Sequence, residues 1–244
     1  MSTFLLINIV VLAIPLILNQ RRKNRIGINY LSLLIAIFVN GGLFLIMNYF
    51  YYNIGLIDFN YDNLVGLTVF DIPIEYYFFF IVFPYAFLFL YKWTKLYFCH
   101  SRPVRLIYGL SLIFTILCIV LALKYSDKPY AFRSFLLAGS LNWIIYFGFT
   151  PRWYAYFIFS FLFVSFPYLL IDGTMTLLDV GPTTIYHEDG IVGFHVFTLP
   201  LEDIFNFFTL FILTITVYEG VTKKLLNIKY RRLREEVYQY KKST

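Results

Sequence analysis

Charge is scarce in this 244-residue chain: Asp, Glu, Lys and Arg together make 14% of it. A soluble globule carries about 25% charged residues, so an ordinary water-soluble domain is excluded. Cysteine is nearly absent. The two present, Cys99 in a basic loop and Cys118 in an apolar run, form neither a disulfide framework nor a metal-ligand pair. No glycine-rich dinucleotide loop occurs, so no redox cofactor motif is visible, although a lipid-soluble cofactor would leave none. What fills the chain instead is apolar: 60% hydrophobic residues, 22% aromatic residues and a mean hydropathy of +0.71.

Apolar runs fall at 3–19, 30–52, 72–91, 106–123, 131–149, 153–171 and 199–219. A membrane helix needs about 20 apolar residues, and seven such helices would use about 140 residues, close to the hydrophobic total. The fold class expected is an all-α, multi-pass integral membrane protein with seven transmembrane helices. The first run has no basic residue before it, and Gln20-Arg21-Arg22-Lys23 follows directly; it reads as a retained helix rather than a signal peptide.

The basic residues sort by side. All of the 20 Lys and Arg residues except Lys124, Lys128 and Arg133 fall in the 1–2, 3–4 and 5–6 connections or after the last run. The positive-inside rule then puts the N-terminus outside and the C-terminus in the cytoplasm. The net charge of +6 is therefore a topology signal, and no nucleic-acid partner is implied. The tail from Lys223 reads as a solvated helical extension that can touch anionic lipid. All carboxylates except Glu219, Glu235 and Glu236 gather on the outer side or at outer helix ends, which is where chemistry is expected.

The chain resembles itself at one fixed offset. Gly66, Val69, Phe70, Pro73, Glu75, Phe78 and Phe80 recur, in register, as Gly193, Val196, Phe197, Pro200, Glu202, Phe205 and Phe207. Each copy opens the third helix of a three-helix group, and the fourth helix is the spacer. One extra crossing between two three-helix groups restores the direction of insertion, so the repeats are expected to be parallel, as in some transporters. The domains so drawn are 1–95 and 129–222 for the repeats, 96–128 for the spacer helix with its connections, and 223–244 for the basic cytoplasmic tail.

A Pro-x-Glu at a helix start has a bland reading, because proline suits the first turn and an acid there complements the helix dipole. Two copies in register, each followed one turn on by Phe78 or Phe205, favour function, since ionisable groups at membrane depth are costly. The chemistry that fits is proton transfer to an apolar substrate. A carboxyl group in a desolvated site stays protonated while a wetter partner stays ionised, and aromatic faces stabilise a carbocation. The 29 Phe, 22 Tyr and 3 Trp residues supply such faces, although any single ring also serves packing or an interfacial belt.

At Pro73-Ile74-Glu75 and Pro200-Leu201-Glu202-Asp203 the sequence resembles the membrane-integral lycopene beta-cyclases of carotenoid synthesis, small polytopic domains with a Pro-x-Glu-Glu motif that occur as two subunits or one fused chain. The resemblance spans both three-helix groups. It implies a carotenoid polyene as substrate and conversion of linear psi end groups to beta-ionone rings without net redox change. By position it implies Glu75, Glu202 and Asp203 as catalytic acids. Tyr76 departs from the motif, standing where a second carboxylate is expected, so a single centre near Glu202 and Asp203, assisted by Glu75, is expected rather than two equal ones. On that reading Glu202→Gln abolishes turnover and Tyr76→Phe is milder. Which acid donates and which accepts is left open, as is capture of the cation by water, which would make a hydratase. Membrane lipid is the other partner, and a homo-oligomer is allowed but not required.

Tyr76, Phe78, Phe79, Phe205, Asn206, Asn142 and His195 are the expected substrate-binding set. His195 has a plain alternative as a loop histidine bonded to backbone, and Asn142, like Asn40, as glue between helices. No metal is expected: His187-Glu188-Asp189 lacks further ligands, and the Asp58-x-x-x-Asp62 pattern lacks the second acidic cluster and the bases that a magnesium-diphosphate site needs. A rhodopsin-like pigment protein would need a lysine in the last run, and 199–219 holds none. A binding protein that holds a carotenoid or lipid without catalysis is the remaining alternative.

Overall fold

The computed structural model describes residues 2–20, 26–97, 104–177, 183–196 and 199–243. Arg21, Arg22, Lys23, Arg25, Cys99, Arg102, Asp179 and Phe197, on which parts of the charge, cysteine and repeat readings rest, lie outside the described residues. Among the described residues the fold is all-α with seven helices: α1 (Thr3–Gln20), α2 (Tyr30–Asn53), α3 (Ile74–Tyr97), α4 (Val104–Lys124), α5 (Pro129–Trp143), α6 (Tyr154–Leu177) and α7 (Leu201–Ser243). A π-helical turn, Ile144–Gly148, follows α5. Among the described residues four stretches, Tyr30–Asn53, Ile74–Tyr97, Leu106–Lys124 and Leu201–Glu235, are long and apolar enough to cross a membrane, and Thr3–Asn19 and Tyr154–Ser165 are shorter apolar helices.

Local chemistry sets the helix starts. Asn29 caps α2 by accepting from the Ser32 N–H at 3.1 Å, and Pro129 opens α5 where its missing N–H costs nothing. The last helix does not stop at the apolar boundary. It runs on through the basic tail as one element, because Lys, Arg and Glu propagate a helix well.

Outward faces are apolar: Phe38, Ile46, Ile113 and Leu123 are all exposed. Such faces cost free energy in water at roughly 25 cal/mol per Å² and none in hydrocarbon. Inside, aromatic rings dominate. Phe87 of α3 and Phe211 of α7 stack with centroids 3.4 Å apart and are buried, and the group around them includes Phe135, Phe157, Phe208 and Tyr154.

Helix α3 packs against α1, and α7 against α5. Helix α2 packs on α7, while α6 packs on α3. Each three-helix group thus lends its middle helix to the central helix of the other. Near the last turn of α3 and midway along α7, Glu219 accepts hydrogen bonds from Lys95 Nζ at 2.8 Å and from the Tyr91 hydroxyl at 2.6 Å.

The α4 helix lies along α5. A Cβ on Gly139 would come within 2.7 Å of the Cys118 Cβ, so glycine is what lets the two helices touch.

Two short hairpins precede α3 and α7. The first pairs β2 (Thr68–Val69) with β3 (Ile72–Pro73), and the second β5 (His195–Val196) with β6 (Leu199–Pro200). In the first, Phe70 and Asp71 have φ of 50° and 58°, the left-handed pair that a two-residue type I′ hairpin turn requires. Pro73 and Pro200 therefore close a strand just ahead of each helix, rather than sitting within its first turn as the sequence suggested. The headpieces are tied to each other as well. Strand β1 (Ile57–Phe59) pairs antiparallel with β4 (Thr184–Tyr186) with Asp58 opposite Ile185, two positions that are themselves equivalent in the repeat.

Candidate active site

The two headpieces repeat bond for bond. Val65 N–H donates to Glu75 Oε1 at 2.6 Å, and Val192 N–H donates to Glu202 Oε1 at 2.6 Å. Ile74 N–H reaches the Leu67 carbonyl at 3.0 Å, and Leu201 N–H the Phe194 carbonyl at 2.9 Å. Gly66 and Gly193 take φ of 85° and 82°, the left-handed turn that brings each valine back over its glutamate. Both glutamates are fully buried, and Oε2 of each has no hydrogen-bond partner. A carboxyl group in that state is anchored by one oxygen and free at the other.

Below the headpieces lies a cavity of about 160 Å³, far more than the roughly 10–15 Å³ one water requires. Its apolar walls are Phe4, Phe44, Phe79, Phe80, Phe83 and Phe207, with Ile7, Ile57, Leu199 and Leu210. Phe79 and Phe83 lie 4.2 Å apart and tilted. Its polar wall is Asp203, Asn206, Tyr130, Arg133 and Tyr186, faced by Tyr76, Thr183, Thr184 and Asn48.

The residues that follow the two glutamates, Tyr76 and Asp203, differ in chemistry but hold the same place in the repeat. Asp203 accepts from the Tyr130 hydroxyl on Oδ1 and from the Tyr186 hydroxyl on Oδ2 at 2.5 Å, and Asn206 Nδ2 approaches Oδ1 at 3.3 Å. Burial pushes the Tyr186 phenol well above its ordinary range, and the Asp203 carboxylate beside it pushes the same way; Tyr186 is thereby held as a donor. Tyr76 is buried and meets the hydroxyls of Thr183, at 3.5 Å, and Thr184.

Arg133, in the first turns of α5, donates from Nη2 to Asn206 Oδ1 at 3.0 Å and from Nη1 to the Met47 sulfur at 3.3 Å. Its guanidinium carbon lies 4.8 Å from the Tyr51 ring centroid and 5.3 Å from that of Tyr130, within cation–π range.

Of the residues singled out in the sequence, Tyr76, Phe79, Asp203 and Asn206 meet at this cavity. Glu75 and Glu202 are not among its lining residues; each is bonded into its headpiece. Phe78 is exposed, on the outside of α3. Phe205 is buried away from the cavity, its centroid 5.7 Å from Phe114 and 4.8 Å from Phe135. Asn142 is buried among α4, α5 and α6, donating to Ser111 and Thr115 and accepting from Tyr154. Asn40 similarly joins α2 to α7 through Thr214 at 3.4 Å. His195 is exposed and its Nδ1 lies 3.3 Å from the Gly193 carbonyl.

Two motifs read apart in the sequence come together: His187 Nε2 and Asp58 Oδ2 are 2.8 Å apart, fastening β4 to β1. Among the described residues no group of three or more His, Cys, Asp or Glu side chains is placed to hold a metal ion.

Sequence reasoning missed Tyr130, Arg133, Tyr186, Thr183 and Thr184. One signal was available for Arg133. It is a cation inside an apolar run, and the rule that made the glutamates conspicuous applies to it equally. Nothing in the sequence marks Tyr130 and Tyr186 among 22 tyrosines.

No curated protein and no solved structure matches the chain. A sequence model of the lycopene cyclase family does, over residues 1–94 and again over 127–221. Those two stretches hold both headpieces and every residue named in the cavity wall, and on that match the chain belongs to the lycopene cyclase family.

Proposed function

We propose that this protein is a carotenoid end-group cyclase that turns linear psi ends of a lycopene-type polyene into beta-ionone rings, an intramolecular isomerisation with no net redox change. The observation that carries the reading is the composition of the cavity: one carboxyl group, Asp203, held by two tyrosine hydroxyls and facing a wall of phenylalanine rings. A polyene tip fits the apolar wall. The carboxyl supplies what an alkene cannot find in lipid, a proton.

In the proposed sequence the terminal double bond takes a proton, leaving a tertiary carbocation. An internal double bond of the same end attacks it and closes the six-membered ring. The cation so displaced loses a ring proton to form the ring alkene. One proton enters and one leaves, so Asp203 is regenerated. Phe79, Phe80, Phe83 and Phe207 present π-faces that stabilise positive charge without offering a lone pair to trap it.

Glu75 and Glu202 have a distinct task in this reading. Each fastens a headpiece through one oxygen and so aims its neighbour, Tyr76 or Asp203, at the substrate. A second reading makes Glu202 the proton donor, and its buried, unpartnered Oε2 favours it. Glu202→Gln separates the two, because glutamine keeps an acceptor for the Val192 N–H but carries no acidic proton.

The architecture that goes with this function is a multi-pass membrane protein with seven crossings and an outer N-terminus, its repeats 1–95 and 129–222 parallel about the shared cavity, with the spacer 96–128 between them and the basic tail 223–244 in the cytoplasm. The bonds that recur at equivalent positions of the two headpieces support the pairing of repeats, and the distribution of lysine and arginine supports the orientation.

The test is pigment analysis after expression in lycopene-accumulating cells. Monocyclic or bicyclic product supports the cyclase. Hydroxylated acyclic product means that water captures the cation, and unchanged lycopene bound to the purified protein means a carrier; either result overturns the cyclase reading.

A further inference from the structure

We propose that Arg133 is a positioning residue for the reaction: acting through Asn206, it orients the hydrogen bonds to Asp203 and compensates the charge left there when the carboxyl proton passes to the alkene. The inference rests on the cyclase reading above.

Its first support is directional. A guanidinium only donates hydrogen bonds, so Arg133 Nη2, 3.0 Å from Asn206 Oδ1, obliges the amide to present its oxygen to Arg133. The Nδ2 end then has to face the other way, toward the Tyr130 hydroxyl at 2.9 Å and Asp203 Oδ1 at 3.3 Å. Tyr130, accepting from Asn206, turns its own proton to Asp203 Oδ1. One cation thus fixes the sense of the whole chain of donors that ends on the carboxyl oxygen.

The second support is that a structural salt bridge does not account for Arg133. Among the described residues its guanidinium forms no ion pair with any carboxylate, and its Nε, buried, has no hydrogen-bond partner. A positive charge in an apolar helix bundle is costly. Here it lines the same cavity as Asp203 and is held over the rings of Tyr51 and Tyr130, which share its charge.

The charge balance gives it work to do. When the Asp203 O–H bond breaks and a C–H bond forms on the terminal alkene, the carboxylate becomes negative and the substrate positive. When the ring C–H bond breaks, the proton returns to the carboxylate. The separated charges of the intermediate are stabilised by a fixed cation one amide away from the carboxylate, already in place before the reaction.

The experiment is steady-state cyclisation of lycopene by the full-length protein in liposomes, with Arg133→Met, Arg133→Lys, Asn206→Leu and the Arg133→Met/Asn206→Leu double variant. Arg133→Met is expected to lower kcat on the order of 100-fold with KM within about threefold, as fits an interaction made mainly in the transition state. Lysine, also a pure donor with a positive charge, is expected to restore about tenfold of that loss. The double variant should be no slower than the slower single variant by more than about threefold, because the two residues act in series.

An Arg133→Met variant with wild-type kcat, a folded Arg133→Lys variant no faster than methionine, or losses that multiply in the double variant each overturn the inference. Should Arg133→Met fail to accumulate, Asn206→Leu with unchanged kcat overturns it equally. If the wild-type protein itself makes no cyclic product, the cyclase reading falls and this inference with it, an outcome distinct from a cyclising wild type whose Arg133 variants cyclise as fast.

Discussion

Asp203→Asn is the substitution that separates the chemistry of the cavity from its architecture. Asparagine has the same shape and keeps one oxygen for the Tyr130 hydroxyl. Its amide nitrogen, at the Oδ2 position, meets the Tyr186 hydroxyl 2.5 Å away in the native protein, and that hydroxyl can rotate to accept rather than donate. Each wall residue therefore retains a partner. The loss is one hydrogen bond of a carboxyl group exchanged for one of an amide, about 0.5–1.5 kcal/mol, so the variant is expected to fold, with a small fall in Tm in detergent. Turnover should respond on another scale. An amide has no proton to lend to an alkene, and positioned acid–base groups contribute on the order of 100- to 10,000-fold. The assay is product formation from lycopene in liposomes by chromatography, with the melting temperature and bound lycopene measured on the same preparation. An Asp203→Asn protein that folds, binds lycopene and cyclises within tenfold of wild type would refute the assignment of the proton to this carboxyl group.

The glutamates give a contrasting expectation. Glu75→Gln and Glu202→Gln retain the acceptor for Val65 or Val192, so each should keep turnover within about tenfold while losing about 1–3 kcal/mol for a buried amide donor without a partner; a loss beyond 100-fold in Glu202→Gln alone, in a protein that still folds, would transfer the acid role to it. Gly66→Ala and Gly193→Ala should each destabilise by about 1–2 kcal/mol although a Cβ there meets nothing within 4 Å, because the cost is the left-handed backbone itself; thermal melts of the two variants check this, and turnover should fall further for Gly193→Ala, whose headpiece carries Asp203. Gly139→Ala should force α4 and α5 apart, at about 1–3 kcal/mol, visible as a lower Tm that Cys118→Ala does not rescue, since the close atom is the cysteine Cβ, which alanine shares.

Much of the fold was legible in the sequence because a backbone flanked by apolar side chains has no water to bond and must pair along the chain. Each of the seven apolar runs overlaps one of the helices among the described residues, and the runs at 30–52 and 106–123 fall close to the observed ends of α2 and α4. The internal repeat was legible too, since equivalent headpieces need the same glycine turn, the same proline and the same glutamate. The charged tail, read as a helical extension, does continue the last helix without a break, because a helix propagates on polar residues as readily as on apolar ones. Other helix ends were read less well: the apolar run at 153–171 stops short of the end of α6 at Leu177.

The site was legible only in part, and the reason lies in how the groups are separated along the chain. Pro-x-Glu-Asp pointed to the start of α7, where Asp203 and Asn206 lie one turn apart and line the cavity. The residues that complete the polar wall come from elsewhere: Tyr130 and Arg133 from α5, which packs on α7, and Tyr186 from a strand fixed by its pairing with β1. Glu75 and Glu202 drew attention as buried acids, and burial they have, but a carboxyl group's work depends on where its oxygens point. Composition and spacing determined the helices, the repeat and the acidic headpieces, since solvent and backbone chemistry act residue by residue. Packing alone decided that the equivalent positions 76 and 203 face a common cavity as a tyrosine and an aspartate, because which side chains share a space depends on how helices distant in sequence dock.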